Sequence, residues 1–406
     1  MTEMSAEQAA AELDRLLAEG VDGARARERR AFDDVAGPCA GSIVLFGAGR
    51  LGLRTLAGLR KHGIEPVAFA DNNGELWGSS VRGVPVLSPA DAAARYGSTA
   101  VFVITIWGGK KAWGEEDRMG DRVRELAALG CERVTTFGTL YWKYPDGLLP
   151  YYSVDLPHKV HEHAAEVRAA ATLWADDRSR GEFVSQIRWR LHLDFDDLSG
   201  PVSQTMYFPN DLVALSDEEV FVDCGAYDGD TLAVFLEESG GRFSKFVALE
   251  PDPDNFAKLQ RNRELLAHGD PRVTTHPVAS GSRHERLSFV ADGDAARVVS
   301  AGEDVFEVEA VPLDAFLVES APTFLKMDIE GSEVEALRGA SRIIRESAPV
   351  LAICSYHRQD DLWAIPLLIA SLNPDYRFFL RPHKLEVWDL VCYGIPKARS
   401  LALATC

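Results

Sequence analysis

The chain has 406 residues, a length that at about 150 residues per domain predicts two or three domains. Apolar residues make up 46% and charged residues 26%, a composition that excludes an intrinsically disordered chain. The 43 basic and 62 acidic residues give a net charge of −19. A surface this acidic argues against nucleic acid or an anionic membrane as a partner.

The N-terminus and the cysteines both favour a cytoplasmic location. The first 20 residues carry acids where a secretory signal has a basic start and an apolar core. No apolar run approaches the roughly 18 residues of a membrane span. The six cysteines form no C-x-x-C pair, so neither a zinc ribbon nor a disulfide framework is predicted.

The alternation of apolar strands and helices predicts two α/β units with a helical segment between them. Before the first unit, Leu13, Leu16 and Leu17 share one face of a charged helix. That face can pack on the chain itself or on a second copy in a homodimer. The predicted segments are a helical arm at 1–39, a smaller α/β domain at 40–140, a helical connector and cap at 141–215, and a larger α/β domain at 216–406.

The first unit opens on FGAGRLG, a G-x-G-x-x-G run that lies between an apolar strand and a helix. Gly47, Gly49 and Gly52 are its glycines, and Asp71 ends the next strand 19 residues beyond the last of them. This spacing is typical of a Rossmann-like dinucleotide site, in which the glycines approach a pyrophosphate and the acid holds a ribose.

Three interpretations of this domain stay open. The stretch DNNGELWGSSVRGVPVLSP resembles the N-terminal nucleotide-binding-like domains of sugar acyltransferases and sugar-modifying enzymes. The domain can therefore bind a nucleotide or nucleotide-sugar, bind NAD(P), or serve only structure or oligomerisation. Trp77, Trp107 and Trp113 are candidates to stack on a ligand ring, and core packing is their simpler explanation.

The second unit begins with FVDCGAYDGDT, again a strand, a Gly-rich turn and the start of a helix. Gly225 and Gly229 permit a sharp turn and a close approach to a ligand. The second strand ends in Glu250, 21 residues beyond Gly229, where a carboxylate can accept both hydroxyls of a ribose. The pattern predicts a nucleoside that lies across the strand ends.

The acids around this turn favour a cationic ligand. Asp223 precedes the two glycines and Asp228 lies between them, and carboxylates suit an ammonium and a sulfonium better than a pyrophosphate. This electrostatic argument points to S-adenosylmethionine. The simpler alternative is that the two aspartates only cap the following helix.

The larger domain resembles the FkbM family of methyltransferases, which have the class I S-adenosylmethionine-dependent fold. The motifs that carry the resemblance are VDCGAYDGDT at 222–231, ALEPDPDNFAKLQRN at 248–262, LDAFL at 313–317 and LKMDIEGSEVEALRGA at 325–340. Family members often have Asn where Tyr227 stands. The resemblance implies a seven-stranded sheet with an antiparallel last strand, so that the fold class is two Rossmann-like α/β domains joined by a helical linker.

The resemblance also implies the cofactor contacts. It places Asp223, Gly225 and Gly229 at the methionyl end, Glu250 at the ribose, and Val278 with Ala279 near the adenine. The remaining predicted contacts come from the same loops: Ala226, Tyr227, Asp228, Thr231, Pro251 and Asp328.

Acids and a histidine at the later strand ends are the candidate catalytic residues. Lys326, Asp328 and Glu330 alternate, so all three should point to one side, and Lys326 can pair with either acid. His357 follows the strand PVLAICSYH and is a candidate base or substrate contact. No cysteine or histidine cluster has dependable ligand spacing, so no metal site is predicted, although Mg²⁺ at Asp328 stays open.

These observations predict an S-adenosylmethionine-dependent methyltransferase that methylates oxygen on a small metabolite or sugar in natural-product biosynthesis. One alternative is an NAD(P)-dependent oxidoreductase that uses residues 46–52. The other is a non-catalytic nucleotide sensor. We expect residues 141–215, including Tyr207 and Phe208, to build much of the acceptor pocket.

Overall fold

The computed structural model describes residues 3–108, 118–202, 204–292, 295–298, 305–318 and 321–399. Trp113, one of the candidate stacking residues, lies outside these ranges. Across the described residues, no helix has both the length and the apolar character needed to cross a bilayer.

The N-terminal part of the chain forms two helices and then a mostly parallel sheet. Its helices are α1 (Ala6–Leu17), α2 (Gly20–Ala36), α3 (Arg50–Lys61), α4 (Pro89–Tyr96) and α5 (Met119–Ala128). Its strands are β1 (Ile43–Phe46), β2 (Ala68–Ala70), β3 (Ser80–Val81), β4 (Val84–Leu87), β5 (Val101–Ile104) and β6 (Val134–Thr136).

In the described residues this sheet has the order β3-β4-β2-β1-β5-β6, and only the pairing of β3 with β4 is antiparallel. Every residue of β1 and β5 is buried, because helices and loops cover both faces of a parallel sheet. The chain turns from β1 into α3 through the first Gly-rich loop.

The connector is helical, as predicted. It contains α6 (Phe137–Lys143), α7 (Pro157–Glu162), α8 (Ala164–Ala171) and α9 (Asp177–His192). Its last helix is almost fully buried, and Asp176 at its N-cap forms an ion pair of 2.6 Å with Arg381 of the larger domain. Leu13 and Leu17 of α1 join the core of that same domain. The arm and the connector therefore pack on both domains, since Phe32 of α2, Leu140 of α6 and Trp189 of α9 belong to the core of the N-terminal domain.

The larger domain contains the remaining elements. Its strands are β7 (Val220–Cys224), β8 (Lys245–Leu249), β9 (Val273–His276), β10 (Ala279–Ser280), β11 (Glu285–Asp292), β12 (Ala295–Val298), β13 (Val305–Val311), β14 (Phe324–Met327), β15 (Val350–Cys354), β16 (Tyr376–Pro382) and β17 (Leu390–Pro396). Its helices are α10 (Asp230–Glu238), α11 (Pro253–Ala267), α12 (Leu313–Phe316), α13 (Glu333–Gly339), α14 (Ser341–Glu346) and α15 (Asp361–Leu372). Short 3-10 turns occur at Gly37–Cys39, Gly74–Leu76 and Lys397–Arg399.

The main sheet of this domain has seven strands in the order β16-β17-β15-β14-β7-β8-β9. The last strand in the chain, β17, is antiparallel to both of its neighbours, and the other central pairings are parallel. This confirms the predicted seven-stranded sheet with an antiparallel last strand. A smaller sheet in the described residues, β10-β13-β11-β12, follows β9.

The two domains meet across an aromatic contact. Trp107, which follows β5, lies 4.7 Å from Trp388 of the larger domain, measured between ring centroids. Tyr152 of the connector lies 4.8 Å from the same ring. The Glu386 carboxylate accepts a hydrogen bond of 2.7 Å from the Met119 amide. These contacts set the carboxyl ends of the two sheets on one shared cleft.

Candidate functional site

The loop between β7 and α10 wraps tightly against the next strand of the sheet. Gly225 has a φ of +80°, and a Cβ placed on it would lie 1.9 Å from the Asp328 carbonyl oxygen. Gly229 has a φ of +93° and begins the turn into α10. A side chain at Gly225 would therefore force β14 away from β7.

Glu250 at the end of β8 anchors this loop. Its Oε2 accepts the Tyr227 amide at 2.8 Å, and its Oε1 accepts the Asp252 amide at 2.8 Å. Burial raises the pKa of Glu250 to about 7, against the opposing effect of these two backbone donors. Each carboxylate oxygen keeps a second lone pair for a ligand hydroxyl.

A cavity of about 430 Å³ lies over these strand ends. The structure brings most of the sequence-predicted residues to its wall: Gly225, Tyr227, Thr231, Glu250, Pro251, Val278, Ala279, Asp328 and Glu330. Four other predicted contacts are not part of the wall: Asp223, Ala226, Asp228 and Gly229. The grouping follows from the parallel strands, whose carboxyl ends all lie at one edge of the sheet.

Asp223 lies beneath the cavity rather than in it. Its side chain is fully buried and forms an ion pair of 2.8 Å with Lys326, which is 2% exposed. The Lys326 ammonium also donates a 2.7 Å hydrogen bond to the Gly225 carbonyl. The ion-pair partner of Lys326 is therefore Asp223, whose side chain is not part of the cavity wall.

Asp328 is held by three neighbouring side chains. Its Oδ2 accepts the Tyr207 hydroxyl at 2.9 Å, and its Oδ1 accepts the Tyr356 hydroxyl at 3.3 Å. Nε2 of His357 lies 3.3 Å from the same Oδ1. Burial alone would raise the pKa of Asp328, but the charges of His357 and Lys326 and the Tyr207 hydroxyl lower it, so the group is a carboxylate at neutral pH.

His357 is surrounded by carboxylates. Its Nδ1 lies 2.8 Å from Glu333, and its Nε2 lies 3.3 Å from Asp328 and 3.9 Å from Glu330. Burial would lower the pKa of His357, but Glu333 foremost among these acids outweighs it and raises the pKa to about 10. The imidazole is thus already protonated at neutral pH. This favours a role in positioning carboxylates over that of a base, and the candidate role of His357 as a substrate contact stays a prediction.

Glu330 occupies the junction between this cavity and a second, larger one. With Ser332 it lines both cavities. Its φ is +55°, a left-handed conformation that costs a non-glycine residue about 1–3 kcal/mol. Tyr207, Tyr227 and Asp389, which also line the smaller cavity, have positive φ as well. Such strain is concentrated where a site needs side chains in fixed positions.

The first Gly-rich loop borders the larger cavity. Gly47, Gly49 and Asp71 line it, while Gly52 packs beneath, where a Cβ would lie 2.0 Å from the Gly47 carbonyl oxygen. Trp107 also lines this cavity. The indole of the half-exposed Trp77 donates a 2.7 Å hydrogen bond to the Asp71 carbonyl.

Several residues at the smaller cavity were not among the contacts predicted from the sequence. Tyr356 directly precedes His357, so its place at a strand end was available from the pattern. Lys384 and Asp389 come from the loop between β16 and β17, which has no recognisable motif. Phe208, expected at the acceptor pocket, packs instead in the core, 5.6 Å from Phe221 between ring centroids. Of the other cavity residues not singled out from the sequence, Asp230, Asn255 and Ile329 lie within the quoted motifs, Met206 lies in the connector, and Ser280 and Leu287 lie outside both.

The Mg²⁺ alternative at Asp328 gains no support from the side chains. Within the ranges that the structure describes, no group of three or more His, Cys, Asp or Glu residues is placed to hold a metal ion.

The affinity of this cavity for S-adenosylhomocysteine should increase with pH. Glu250 has a pKa of about 7 before binding, and only its ionised form accepts hydrogen bonds from two ribose hydroxyls. Ionisation is therefore required for tight binding, and the dissociation constant should be about tenfold larger at pH 6 than at pH 8. Calorimetric titration across this range measures the effect. A Glu250→Gln variant should bind weakly with a flat pH profile, and an equally steep profile in that variant would assign the titration to another group.

The C-terminal part of the chain matches a family model. Residues 223–384 match the model described as "Methyltransferase FkbM domain". A crystal structure of methyltransferase FkbM from Methylobacillus flagellatus KT is similar to nearly the whole chain, with a TM-score of 0.75 and 26% identity. The match covers 95% of this chain and 100% of that one, so it includes the N-terminal domain.

Other solved methyltransferases are similar over less than half of the chain. A precorrin-6y C5,15-methyltransferase from Geobacter metallireducens GS-15 has 14% identity and a TM-score of 0.28, over 44% of this chain and 80% of that one. An rRNA methylase from Streptococcus thermophilus has 15% identity and a TM-score of 0.29, over 45% and 89%. These likenesses are too weak to indicate a substrate. No curated protein matches the chain.

Proposed function

We propose that the chain is a methyltransferase of the FkbM family, whose model matches residues 223–384, and that it transfers the methyl group of S-adenosylmethionine to a hydroxyl oxygen of a small metabolite or sugar. The observation that carries the proposal is the cavity of about 430 Å³ over the strand ends, with Glu250 at one side and Asp328 with Glu330 at the other. A role in natural-product biosynthesis stays a prediction from the family resemblance.

The residues at the cavity fit the cofactor from end to end. Val278 and Ala279 offer an apolar surface for the adenine, and Glu250 offers two carboxylate oxygens for the ribose. Gly225 brings the backbone of its loop to the cavity wall, where the methionyl part would lie. Asp328, ionised and about a quarter exposed at the cavity wall, is the negative charge that a sulfonium and an ammonium require. When bound, the cofactor supplies a methyl group on a positively charged sulfur.

We assign the proton of the acceptor hydroxyl to Glu330. It lines both cavities, so one side chain reaches the cofactor and an acceptor that enters from the larger cavity. Glu330 would take the acceptor proton as the oxygen–methyl bond forms and the methyl–sulfur bond breaks, which leaves the sulfur as a neutral thioether. His357, held cationic by Glu333, keeps Asp328 and Glu330 in place. In-line transfer otherwise needs mainly alignment.

Calorimetric titration of the full chain with S-adenosylhomocysteine tests the cofactor. We expect one bound molecule per chain and a dissociation constant about 10–100-fold larger in Glu250→Ala, because two charge-assisted hydrogen bonds are lost. Glu237→Ala is the matched control, since Glu237 is exposed on α10 of the same domain. The proposal fails if the wild type does not bind, or if Glu250→Ala binds as tightly as the control.

A further inference from the structure

The cleft between the two domains contains a cavity of about 1110 Å³, larger than the cofactor cavity. Loops at the carboxyl ends of both sheets line it, and Glu330 with Ser332 is shared by the two cavities. A molecule in the cleft can therefore reach the point of methyl transfer. This makes the N-terminal domain one wall of the acceptor site.

The Gly-rich loops of the two domains are anchored alike. The Asp71 carboxylate accepts the Ala48 amide at 2.7 Å through Oδ2 and the Asn73 amide at 2.8 Å through Oδ1. Glu250 makes the same pair of bonds, to an amide of its own Gly-rich loop and to the amide two residues beyond itself. The N-terminal domain thus repeats the arrangement that suits a ribose beside the second loop.

The first loop leaves open space toward the cleft. Gly47 has a φ of +115° and is packed closely by Thr105 and Ile106. Gly49 differs, because a Cβ placed on it would meet no other described atom within 4 Å. Gly49 is also the N-cap of α3, where free backbone amides and the helix dipole favour an anion.

Polar groups around the cleft are placed to meet a charged ligand. Arg50 and Arg54 on α3 face it from one domain, and Arg358 after β15 faces it from the other. Two of the acids at the wall are already engaged, since Asp71 holds backbone amides and Asp155 pairs with Lys159 at 2.7 Å.

The side-chain amide of Gln359 strengthens this case. Gln359 lines the cavity and is only 5% exposed, and its Nε2 has no hydrogen-bond partner among the described residues. A buried donor without a partner costs about 1–3 kcal/mol, which a ligand acceptor would recover. Aromatic rings complete the wall and can stack on a base or cover a sugar: Trp107, Tyr151, Tyr152, Trp363 and Trp388.

We propose that the acceptor is linked to a nucleoside diphosphate, whose diphosphate binds at Gly49 with Arg50 and Arg54 and whose methylated group reaches Glu330. The ribose lies by Asp71, as the cofactor ribose lies by Glu250. This inference rests on the proposed methyl transfer, because that function identifies the larger cavity as the acceptor site. It assigns the N-terminal domain to substrate recognition.

Calorimetric titration of the full chain with UDP, ADP, NAD and inorganic pyrophosphate tests it. We expect UDP or ADP to bind, and Gly49→Asp to weaken that binding about tenfold or more, because a carboxylate would face the diphosphate. Gly49→Asn is the matched neutral control. Both side chains are good N-caps at an uncrowded position, so both variants should keep the melting temperature.

The outcomes separate this inference from the function. Gly49→Asp should bind S-adenosylhomocysteine normally, and Glu250→Ala should bind the nucleoside diphosphate normally. Absence of UDP and ADP binding by a wild type that binds S-adenosylhomocysteine would overturn the inference and leave the methyltransferase intact. Three other results would also overturn it. Pyrophosphate could bind as tightly as UDP and ADP, NAD could bind more tightly than they do, or Gly49→Asp and Gly49→Asn could lose the same affinity for UDP and ADP.

Discussion

Glu330→Gln is expected to lower methyl transfer by about 10²–10⁴-fold, the usual contribution of a positioned base. The amide keeps the shape of the side chain but cannot take the acceptor proton. The affinity for S-adenosylhomocysteine should change by less than about threefold, since the ribose and adenine contacts lie elsewhere in the cavity. Transfer of labelled methyl from S-adenosylmethionine to small molecules of a source-cell extract, compared with Glu237→Gln, measures the loss.

A comparison of the methyl-transfer rate with the affinity for S-adenosylhomocysteine distinguishes a catalytic role of Glu330 from a structural one. A structural role for Glu330 would lower cofactor affinity or the melting temperature together with the rate. Transfer at the wild-type rate in Glu330→Gln would remove Glu330 as the base, and with it the case for a hydroxyl acceptor. Glu330→Asp, which keeps the charge but shortens its reach, should fall between the wild type and the amide.

Lys326→Met is expected to destabilise the larger domain by about 3–5 kcal/mol, the cost of leaving one partner of a buried ion pair alone. Asp223 is fully buried, and Lys326 is the cation that lies against it. The variant also loses the hydrogen bond from Lys326 to the Gly225 carbonyl, so the cofactor loop should loosen. Denaturant unfolding followed by tryptophan fluorescence measures the change.

An exposed pair in the same domain provides the comparison. Lys397 lies 2.8 Å from Asp375 with both side chains more than half exposed, so Lys397→Met should cost less than about 1 kcal/mol. Equal losses in the two variants would show that burial does not set the cost.

The loss of folding stability in Lys326→Met should also depend on pH. Burial raises the pKa of Asp223 to about 6 even with Lys326 beside it, and the pKa should rise further without that cation. A carboxyl whose pKa is higher in the folded than in the unfolded state stabilises the fold as the pH falls through the folded value. The difference from the wild type should therefore be smaller at pH 5.5 than at pH 8.

Much of the candidate cofactor site could be predicted because it is local in sequence. A strand, a Gly-rich turn and a helix within about 20 residues place Gly225, Tyr227 and Thr231 at one edge of the sheet. The acid that ends the next strand, Glu250, belongs to the same pattern. Asp223 belongs to the pattern too, but the pattern does not indicate how deeply a side chain is buried. Only the packing of Asp223 against Lys326 shows that it lies below the cavity.

The sequence by itself determined two α/β units, their Gly-rich loops, and the acids at their strand ends, because each is encoded within one turn or one strand. Tertiary structure decided what those parts do together. His357 is cationic because Glu333, 24 residues away, folds against it. The first Gly-rich loop shares one cleft with Glu330 and His357 because Trp107 and Trp388 pack across it, a contact between segments 281 residues apart. Long-range packing of this kind leaves no local periodicity to read, since it depends on where whole elements dock.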